Sequence, residues 1–151
     1  MRVGLVSDTH GLMRPEALAA LKGSDLIIHA GDIGSPHVLE RLRELAPTHA
    51  VRGNIDTEPW AMAIPECEIV RVGGQRLFVL HDISELSIDP MREGYGAVIF
   101  GHSHRPSAEI RDGVLFVNPG SAGPRRFRLP VTVASIVVSG GNMSPEFITL
   151  S

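Results

Sequence analysis

The sequence predicts an α/β fold whose core is mixed and divided between two sheets, and three features of the chain support this. The first third alternates strand-like and helix-like segments, whereas the middle and the tail contain pairs of strand-like segments joined by glycine turns. The chain has 151 residues, of which 43% are hydrophobic, enough for one compact core. We therefore expect residues 1–151 to form a single domain.

The first third predicts the order βαβαβ. Its apolar runs are short and end in polar loops, as buried strands do. Pro15 suits the first turn of one helix, and Ser35 followed by Pro36 is typical of the start of another. This order indicates a parallel sheet with right-handed crossovers. The predicted elements are strand 2–7, helix 15–22, strand 25–30, a helix from residue 36 and strand 49–52.

The remaining chain predicts hairpins around one further apolar strand. Glycine-containing pairs, Gly73-Gly74, Asp112-Gly113 and Gly140-Gly141, separate strand-like segments and are typical of tight antiparallel turns. The predicted strands are 67–72, 76–81, 97–100, 108–111, 114–118, 131–139 and 145–150, with a helix near 87–93.

Composition and charge exclude several classes of protein. The net charge of -3 and pI near 6.1 give no general attraction to nucleic acid or to an anionic membrane, so neither partner is expected. Cys67 is the only cysteine, which excludes an intrachain disulfide and fits a reducing compartment. No signal-like start and no apolar run of about 18 residues are present. We expect a cytoplasmic protein.

Five strand-like segments end in residues of metal-ligand type. Loops beyond the carboxyl ends of strands converge in α/β folds, so these side chains are expected to share one crevice. Asp8 with His10, and His102 with His104, are two residues apart, and in extended chain such side chains face the same side. Burying carboxylates beside imidazoles is costly unless cations are present. The candidate ligands are Asp8, His10, Asp32, Asn54, His81, His102 and His104.

The motifs DTH, GD, GN, an isolated His after a strand and GHSH, in this order, resemble those of the calcineurin-like metallophosphoesterases. The short length and the NPGS at 118–121 are most similar to the small YfcE-like phosphodiesterase branch. This resemblance implies a four-layer αββα sandwich with two mixed β-sheets and two metal ions about 3.5–4 Å apart. It implies that Asp8, His10 and His104 bind one ion, that Asn54, His81 and His102 bind the other, and that Asp32 bridges them.

The resemblance also implies a phosphoesterase, a phosphodiesterase or phosphatase, that hydrolyses a small phosphoester by attack of a metal-bridging hydroxide. Asp32, Asn54 and His81 would then serve catalysis through that hydroxide, and Asn54 and Arg105 are candidates for substrate contact. The oxygen and imidazole ligands suit divalent transition metals. Manganese is our first choice, with nickel, iron, zinc or magnesium as alternatives.

Two positions depart from the family pattern. Many members of the superfamily carry a leaving-group His where this chain has Ile55, and isoleucine cannot donate a proton. We therefore expect a preference for diesters or for monoesters with acidic leaving groups. Asp82 stands where the family usually has glycine, and its carboxylate can face solvent, accept from a ligand imidazole or bind metal.

Several alternatives stay open at this point. The retromer scaffold subunit shares the family's fold, so a non-catalytic scaffold is the second hypothesis, and an RNA-processing nuclease is a weaker third. A homo-oligomer formed through a sheet edge or residues 59–65 is open as well. His29 lies in an apolar strand and is expected to be a core histidine. For residues 125–128, the arginines are expected to face solvent, with phosphate binding as the alternative.

Overall fold

The computed structural model describes residues 1–150 and contains two five-stranded sheets. Short 3-10 turns at Pro59–Ala63 and Ile83–Glu85 complete the regular structure of this part of the chain. In chain order the elements are β1 (Arg2–Val6), α1 (Pro15–Leu21), β2 (Leu26–His29), α2 (Pro36–Arg43), β3 (Thr48–Ala50), β4 (Cys67–Val72), β5 (Gln75–Leu80), β6 (Ala97–Ile99), β7 (Ser107–Arg111), β8 (Val114–Asn118), β9 (Thr132–Ser139) and β10 (Asn142–Thr149).

Both sheets are mixed. The first has the order β10-β9-β1-β2-β3, in which β1, β2 and β3 are parallel and β9 is antiparallel to both β1 and β10. The second has the order β4-β5-β6-β8-β7, in which β5, β6 and β8 are parallel and an antiparallel strand lies at each edge. The βαβαβ start and the later hairpins are confirmed.

The two sheets pack face to face over an aliphatic core. Leu5 and Ile28 of the first sheet belong to the same buried cluster as Val79, Ile99 and Val117 of the second. Burial of such side chains stabilises the fold by about 1.5–3 kcal/mol each relative to exposure. The parallel strands of both sheets are therefore held in one body, with their carboxyl ends fixed relative to each other.

Outer layers cover both sheets. Leu21 of α1 and Leu42 of α2 pack with Val6 and Ile27 on the outer face of the first sheet. On the second sheet, Ile83 and Leu86 pack at the outer cluster that contains Val98. The predicted α/β four-layer order is confirmed, although a 3-10 turn rather than an α-helix covers the second sheet.

Local sequence explains where several elements begin. The Ser35 hydroxyl accepts a hydrogen bond from the backbone N–H of His37 at 3.3 Å, and Pro36 opens α2, so this N-cap is confirmed. The β4–β5 turn has φ of 55° at Gly73 and 79° at Gly74. Two consecutive positive φ angles are typical of the type I′ turn that twists a hairpin correctly.

Two predicted elements differ in the structure. The helix predicted near 87–93 is wrong, because this segment forms turns. Pro90 explains the error, since proline lacks an N–H and disfavours helical geometry in the residue before it. The strand predicted at 49–52 is Thr48–Ala50, because the N–H of Arg52 donates to the Pro65 carbonyl at 2.9 Å and turns the chain away.

Among residues 1–150, no helix has the length and apolar character needed to cross a bilayer. The cytoplasmic location, the single domain and the homo-oligomer stay predictions.

Candidate metal centre

The candidate ligands lie in loops that follow parallel strands of both sheets. Asp8 follows β1, Asp32 follows β2, and Asn54 lies in the loop after β3. His81 directly follows β5, and the GHSH segment at 101–104 follows β6. A hydrogen bond links the two sheets here, because His81 Nδ1 lies 2.7 Å from the carbonyl of Ala30, the residue after β2 of the first sheet. The carboxyl ends of the two packed sheets thus form one site.

Two carboxylates form the centre of this site. Asp32 Oδ2 is 3.2 Å from His81 Nε2 and 3.6 Å from His10 Nε2. Asp8 Oδ1 is 3.3 Å from His104 Nε2, 3.8 Å from His81 Nε2 and 3.9 Å from His10 Nε2. Two sets of ligand atoms, each within 4.8 Å of one another, result: Asp8 with His10 and His104, and Asp8 with Asp32 and His81.

The hydrogen bonds of His81 leave one of its ring nitrogens facing the carboxylates. His81 Nδ1 lies 2.7 Å from the Ala30 carbonyl, which can only accept, so Nδ1 carries the hydrogen. His81 Nε2 then faces the oxygens of Asp8 and Asp32, where it can carry a proton or offer a lone pair to a metal ion. His81 Nε2, His10 Nε2 and Asp8 Oδ1 are buried without a hydrogen-bond partner. A divalent ion between these atoms would satisfy all three, so the donor set fits a metal.

The electrostatics of the site favour ionised carboxylates. Burial raises the pKa of Asp8, but contacts with His104 and Ser7 and the charge of His81 outweigh it and hold that pKa below its ordinary value. Burial likewise raises the pKa of Asp32, and the His81 contact reverses the direction. Burial lowers the pKa of His81, but Asp32 and Asp8 raise it above its ordinary value. Two adjacent carboxylates therefore retain negative charge at neutral pH.

The backbone is strained where the ligands lie. Positive φ is uncommon for residues other than glycine, costs of order 1–3 kcal/mol and clusters at functional sites. The N–H of Asp8 donates to the Gly31 carbonyl and that of His10 to the Asp32 carbonyl, both at 3.0 Å, which holds the two loops together. Five candidate ligands have such φ angles: Asp8 (55°), His10 (48°), Asp32 (56°), His102 (72°) and His104 (63°).

Asp8 and His10 converge for a different reason from the one expected from their spacing. We expected Asp8 and His10 to face one side because they lie two residues apart in extended chain. They do converge, but in left-handed rather than extended backbone. His102 and His104 separate: His104 is buried in the centre, whereas His102 is exposed at its edge. The strained loops, not a regular strand period, determine which ligand points inward.

Two of the glycines that precede candidate ligands lie so close to other residues of the site that a side chain would not fit there. A Cβ on Gly31, whose φ is 102°, would lie 2.6 Å from His81 Nδ1. A Cβ on Gly53 would collide with the carboxylate and backbone nitrogen of Asp32. Any larger residue at either position would displace a member of the cluster.

Asn54 and His102 lie at the mouth of the cleft, outside the two buried sets. Asn54 lines the cleft together with His81 and Asp82. The His102 ring centroid is 5.2 Å from that of His81, and its backbone N–H donates to Asp8 Oδ2 at 3.1 Å. Asp82 Oδ1 accepts from the N–H and hydroxyl of Ser84, and its other oxygen is 3.8 Å from His102 Nε2. Asp82 is thus oriented toward an imidazole, one of the roles left open for it.

Arg105, the other candidate for substrate contact, does not line this cleft. It lines a neighbouring cavity together with Phe127, Arg128 and Leu129.

Sequence reasoning missed a buried carboxylate behind the site. Asp56 is 2% exposed and accepts hydrogen bonds from the N–H groups of Ile33 (3.0 Å), Gly34 (2.9 Å) and Gly53 (2.9 Å). It ties the loop after β2 to the loop after β3. The GNID segment places Asp56 two residues after Asn54, but such a carboxylate carries no distinctive spacing of its own.

Other polar residues fix the loops as expected. His29 is fully buried and is confirmed as a core histidine: Nδ1 accepts from the Gly31 N–H at 3.1 Å, and Nε2 lies 3.0 Å from the Thr9 hydroxyl. Asn118 donates to the Gly101 carbonyl at 3.0 Å, and the Ser121 hydroxyl donates to the Asp8 carbonyl at 3.0 Å. The NPGS segment therefore shapes the site without entering it.

Comparison with known proteins gives the family. Residues 1–141 match the model of the calcineurin-like phosphoesterase superfamily domain. The chain belongs to this family. This calcineurin-like chain is 31% identical over 160 residues to a probable metallophosphoesterase of Methanothermobacter thermautotrophicus, which covers 98% of this chain and 92% of that protein. It is 28% identical over 153 residues to phosphodiesterase YfcE of Escherichia coli, with 80% and 79% covered.

Among solved structures, Vps29 of Chaetomium thermophilum superposes on this calcineurin-like chain with a TM-score of 0.80, covering 99% of this chain and 96% of that one. At 18% identity, this similarity concerns the fold alone. The predicted superfamily, its YfcE-like branch and the fold are therefore confirmed.

Proposed function

We propose that this calcineurin-like protein is a dinuclear metal-dependent phosphoesterase that hydrolyses a small phosphoester. A phosphodiesterase is favoured over a phosphatase. The observation that carries the proposal is the group of unpartnered imidazole nitrogens directed at two ionised carboxylates. Asp8, His10 and His104 would hold one ion, and Asn54, His81 and His102 the other. Asp32 Oδ2 lies near both His10 and His81, which supports a bridging role.

When bound, two divalent ions would lower the pKa of coordinated water and offset charge on phosphoryl oxygens. Asp8 and Asp32 contribute two negative charges against four positive charges, so a phosphoryl anion would meet net positive charge. Asn54 is exposed in the cleft, where its amide can donate to a phosphoryl oxygen. His102 is exposed beside it. Manganese is the first choice of metal, with nickel, iron, zinc and magnesium as alternatives.

The cleft limits the leaving groups that the protein can expel. Ile55 is 41% exposed, and only its backbone N–H, which donates to Asp32 Oδ1 at 3.1 Å, takes part in the site. The pKa of Asp82 lies below its ordinary value, because the Ser84 hydrogen bonds outweigh the raising effect of burial, so this carboxylate does not carry a transferable proton at neutral pH. Diesters and aryl esters with acidic leaving groups are therefore the expected substrates.

Metal-stripped protein provides the test. Bis(4-nitrophenyl) phosphate and 4-nitrophenyl phosphate would be hydrolysed with manganese, nickel, iron, zinc or magnesium added back singly. Turnover is expected with at least one transition metal, to be faster for the diester, and to fall by at least about a hundredfold in Asp32→Asn and His102→Ala. His37→Ala removes an exposed histidine of α2 and serves as the matched control.

A non-catalytic scaffold is the alternative, and metal content separates it from the enzyme. Elemental analysis of the same samples would report bound metal independently of turnover. Stoichiometric metal without hydrolysis of either ester would refute the proposed activity and favour the scaffold. Left-handed φ angles at five candidate ligands support the enzyme, because such strain clusters at functional sites.

A further inference from the structure

We propose that residues 124–129 form a subsite for an aromatic arm of a phosphodiester substrate, in which Phe127 stacks on a flat ring and Arg126 contacts the phosphate. The inference rests on the proposed function, because the subsite would select substrates for the same centre. The proposed substrates are diesters whose non-leaving arm carries a nucleobase or an aryl ring.

The shape of this loop presents Phe127 to solvent. A hydrogen bond from the Leu129 N–H to the Arg126 carbonyl, 3.1 Å long, closes the turn. Phe127 occupies that turn with a φ of 54°, which is uncommon for a bulky residue, and it is 93% exposed. An aromatic ring held outward in this way is available for stacking, and base–aromatic stacking tolerates different rings because each has a π-face.

The loop is fixed against the candidate metal centre. Gly123 lies directly against the carbonyl groups of Asp8 and Thr9, and its own carbonyl accepts from the Arg14 guanidinium at 3.2 Å. Arg126 lies three residues further along the same loop. The loop that carries Arg126 therefore begins beside the candidate metal centre, and the second ester arm of a substrate would run along it.

The neighbouring cavity continues this path. Phe127, Arg128 and Leu129 line it together with Arg105, which directly follows the buried ligand candidate His104. Consecutive Cα atoms are about 3.8 Å apart, so the cavity wall begins within one residue of the centre.

Charge on this surface has the sign that a phosphodiester needs. Arg105, Arg126 and Arg128 form no salt bridge with any carboxylate in residues 1–150, whereas Arg41, Arg52, Arg92 and Arg111 do. Guanidinium groups match phosphate oxygens in geometry and charge. The chain as a whole carries -3, so this positive surface is local and lies beside the cleft.

Two diesters with the same leaving group test the subsite. Manganese-reconstituted protein would hydrolyse thymidine 5′-(4-nitrophenyl) phosphate and methyl 4-nitrophenyl phosphate. Phe127→Ala is expected to lower kcat/KM about tenfold for the nucleoside ester and less than about twofold for the methyl ester. Phe147→Ala, at an exposed phenylalanine of β10, is the matched control and should alter neither.

Arg126→Gln is expected to lower kcat/KM for the nucleoside and methyl esters by a similar factor, because both share the phosphate. Equal effects of Phe127→Ala on the two esters, or no effect on either, would overturn the stacking role. No effect of Arg126→Gln would overturn the phosphate contact.

A binding measurement keeps the subsite separate from the proposed activity. Equilibrium dialysis with thymidine 5′-monophosphate and with methyl phosphate needs no turnover. If wild-type protein hydrolyses no ester, the proposed function fails, yet an about tenfold loss of nucleotide affinity in Phe127→Ala alone would still support the subsite. Equal nucleotide affinity in both proteins, or no nucleotide binding by either, would overturn it.

Discussion

Acidification is expected to destabilise the metal-free protein through one buried histidine. His29 has no exposed surface, and its Nδ1 accepts the N–H of Gly31. Its Nε2–H must therefore donate to the Thr9 hydroxyl, which in turn donates to the Ile33 carbonyl at 2.9 Å. A proton on Nδ1 would face the Gly31 N–H and break this chain of hydrogen bonds behind the Gly31-Asp32 loop.

The magnitude follows from the pKa. Burial lowers the pKa of His29 from 6.5 to about 4. The unfolded chain then binds the proton first, so the free energy of unfolding falls as the pH drops from 6.5 towards 4. The full contribution is present above pH 6.5 and is lost once the pH reaches the folded pKa. At about 1.4 kcal/mol per pH unit, the difference corresponds to about 3 kcal/mol.

Urea unfolding with a chelator present, at pH values between neutral and about 4, is the assay. Wild-type protein is expected to lose about 3 kcal/mol more over this range than His29→Gln. His10 and His81 titrate in both proteins, so their effects cancel in the comparison. His49→Gln, on the neighbouring strand β3, controls for loss of a histidine and should follow wild type.

The same pH dependence in wild type and His29→Gln would refute this reasoning. Should His29→Gln fail to fold, the ring of His29 can be followed by NMR in wild-type protein. It is expected to remain neutral, with hydrogen on Nε2, until the pH approaches 4. Titration of this ring near 6.5 would contradict the argument equally.

Three further predictions concern the site. Saturating metal, at about 1,000 times its dissociation constant, is expected to stabilise wild-type protein by about 4 kcal/mol in thermal unfolding. Asp8→Asn should abolish this stabilisation, and an unchanged stabilisation would show that Asp8 is not a ligand. Asp56→Asn should lower the free energy of unfolding in urea by about 3 kcal/mol, because one amide cannot accept hydrogen bonds from all three N–H groups. The control Asp89→Asn, at an exposed aspartate, should lower it by under about 0.5 kcal/mol. Equal losses in the two variants would contradict the role of Asp56. Ser7→Ala removes the 2.7 Å hydrogen bond to Asp8 Oδ2 and should weaken metal binding about 10–100-fold in calorimetry; unaltered affinity would count against it.

The fold was predictable where its determinants are local. Ser35 and Pro36 specify the start of α2 from neighbouring residues alone. Gly73-Gly74 specifies a hairpin turn, because this turn needs positive φ at both of its central residues. The helix prediction for residues 87–93 was wrong because the composition of this segment is typical of a helix, whereas Pro90 prevents one. Its chain instead turns so that Tyr95 lies under the Arg76 guanidinium, 4.3 Å from the ring centroid, a tertiary contact that no local pattern encodes.

The candidate site was predictable as a set of residues but not as a geometry. Five polar strand ends in order were sufficient to name candidate ligands and to place them at one edge of the fold. Their inward or outward direction depends on left-handed φ angles, as the contrast between buried His104 and exposed His102 shows. Asn54, His102 and the metals themselves stay predictions, since the two buried sets contain neither residue.

Two buried residues behind the site, Asp56 and His29, explain how strained loops can persist around the candidate ligands. Positive φ at Asp8 and Asp32 costs free energy, and two ionised carboxylates side by side cost more. Asp56 opposes this cost by satisfying three backbone N–H groups, and His29 fixes Gly31 from behind. Because these groups act on the backbone rather than on a metal or a substrate, their loss should reduce stability first and affinity second. A substitution that loosens the loops but leaves the chain folded would therefore distinguish the residues that hold the loops from the residues that bind metal.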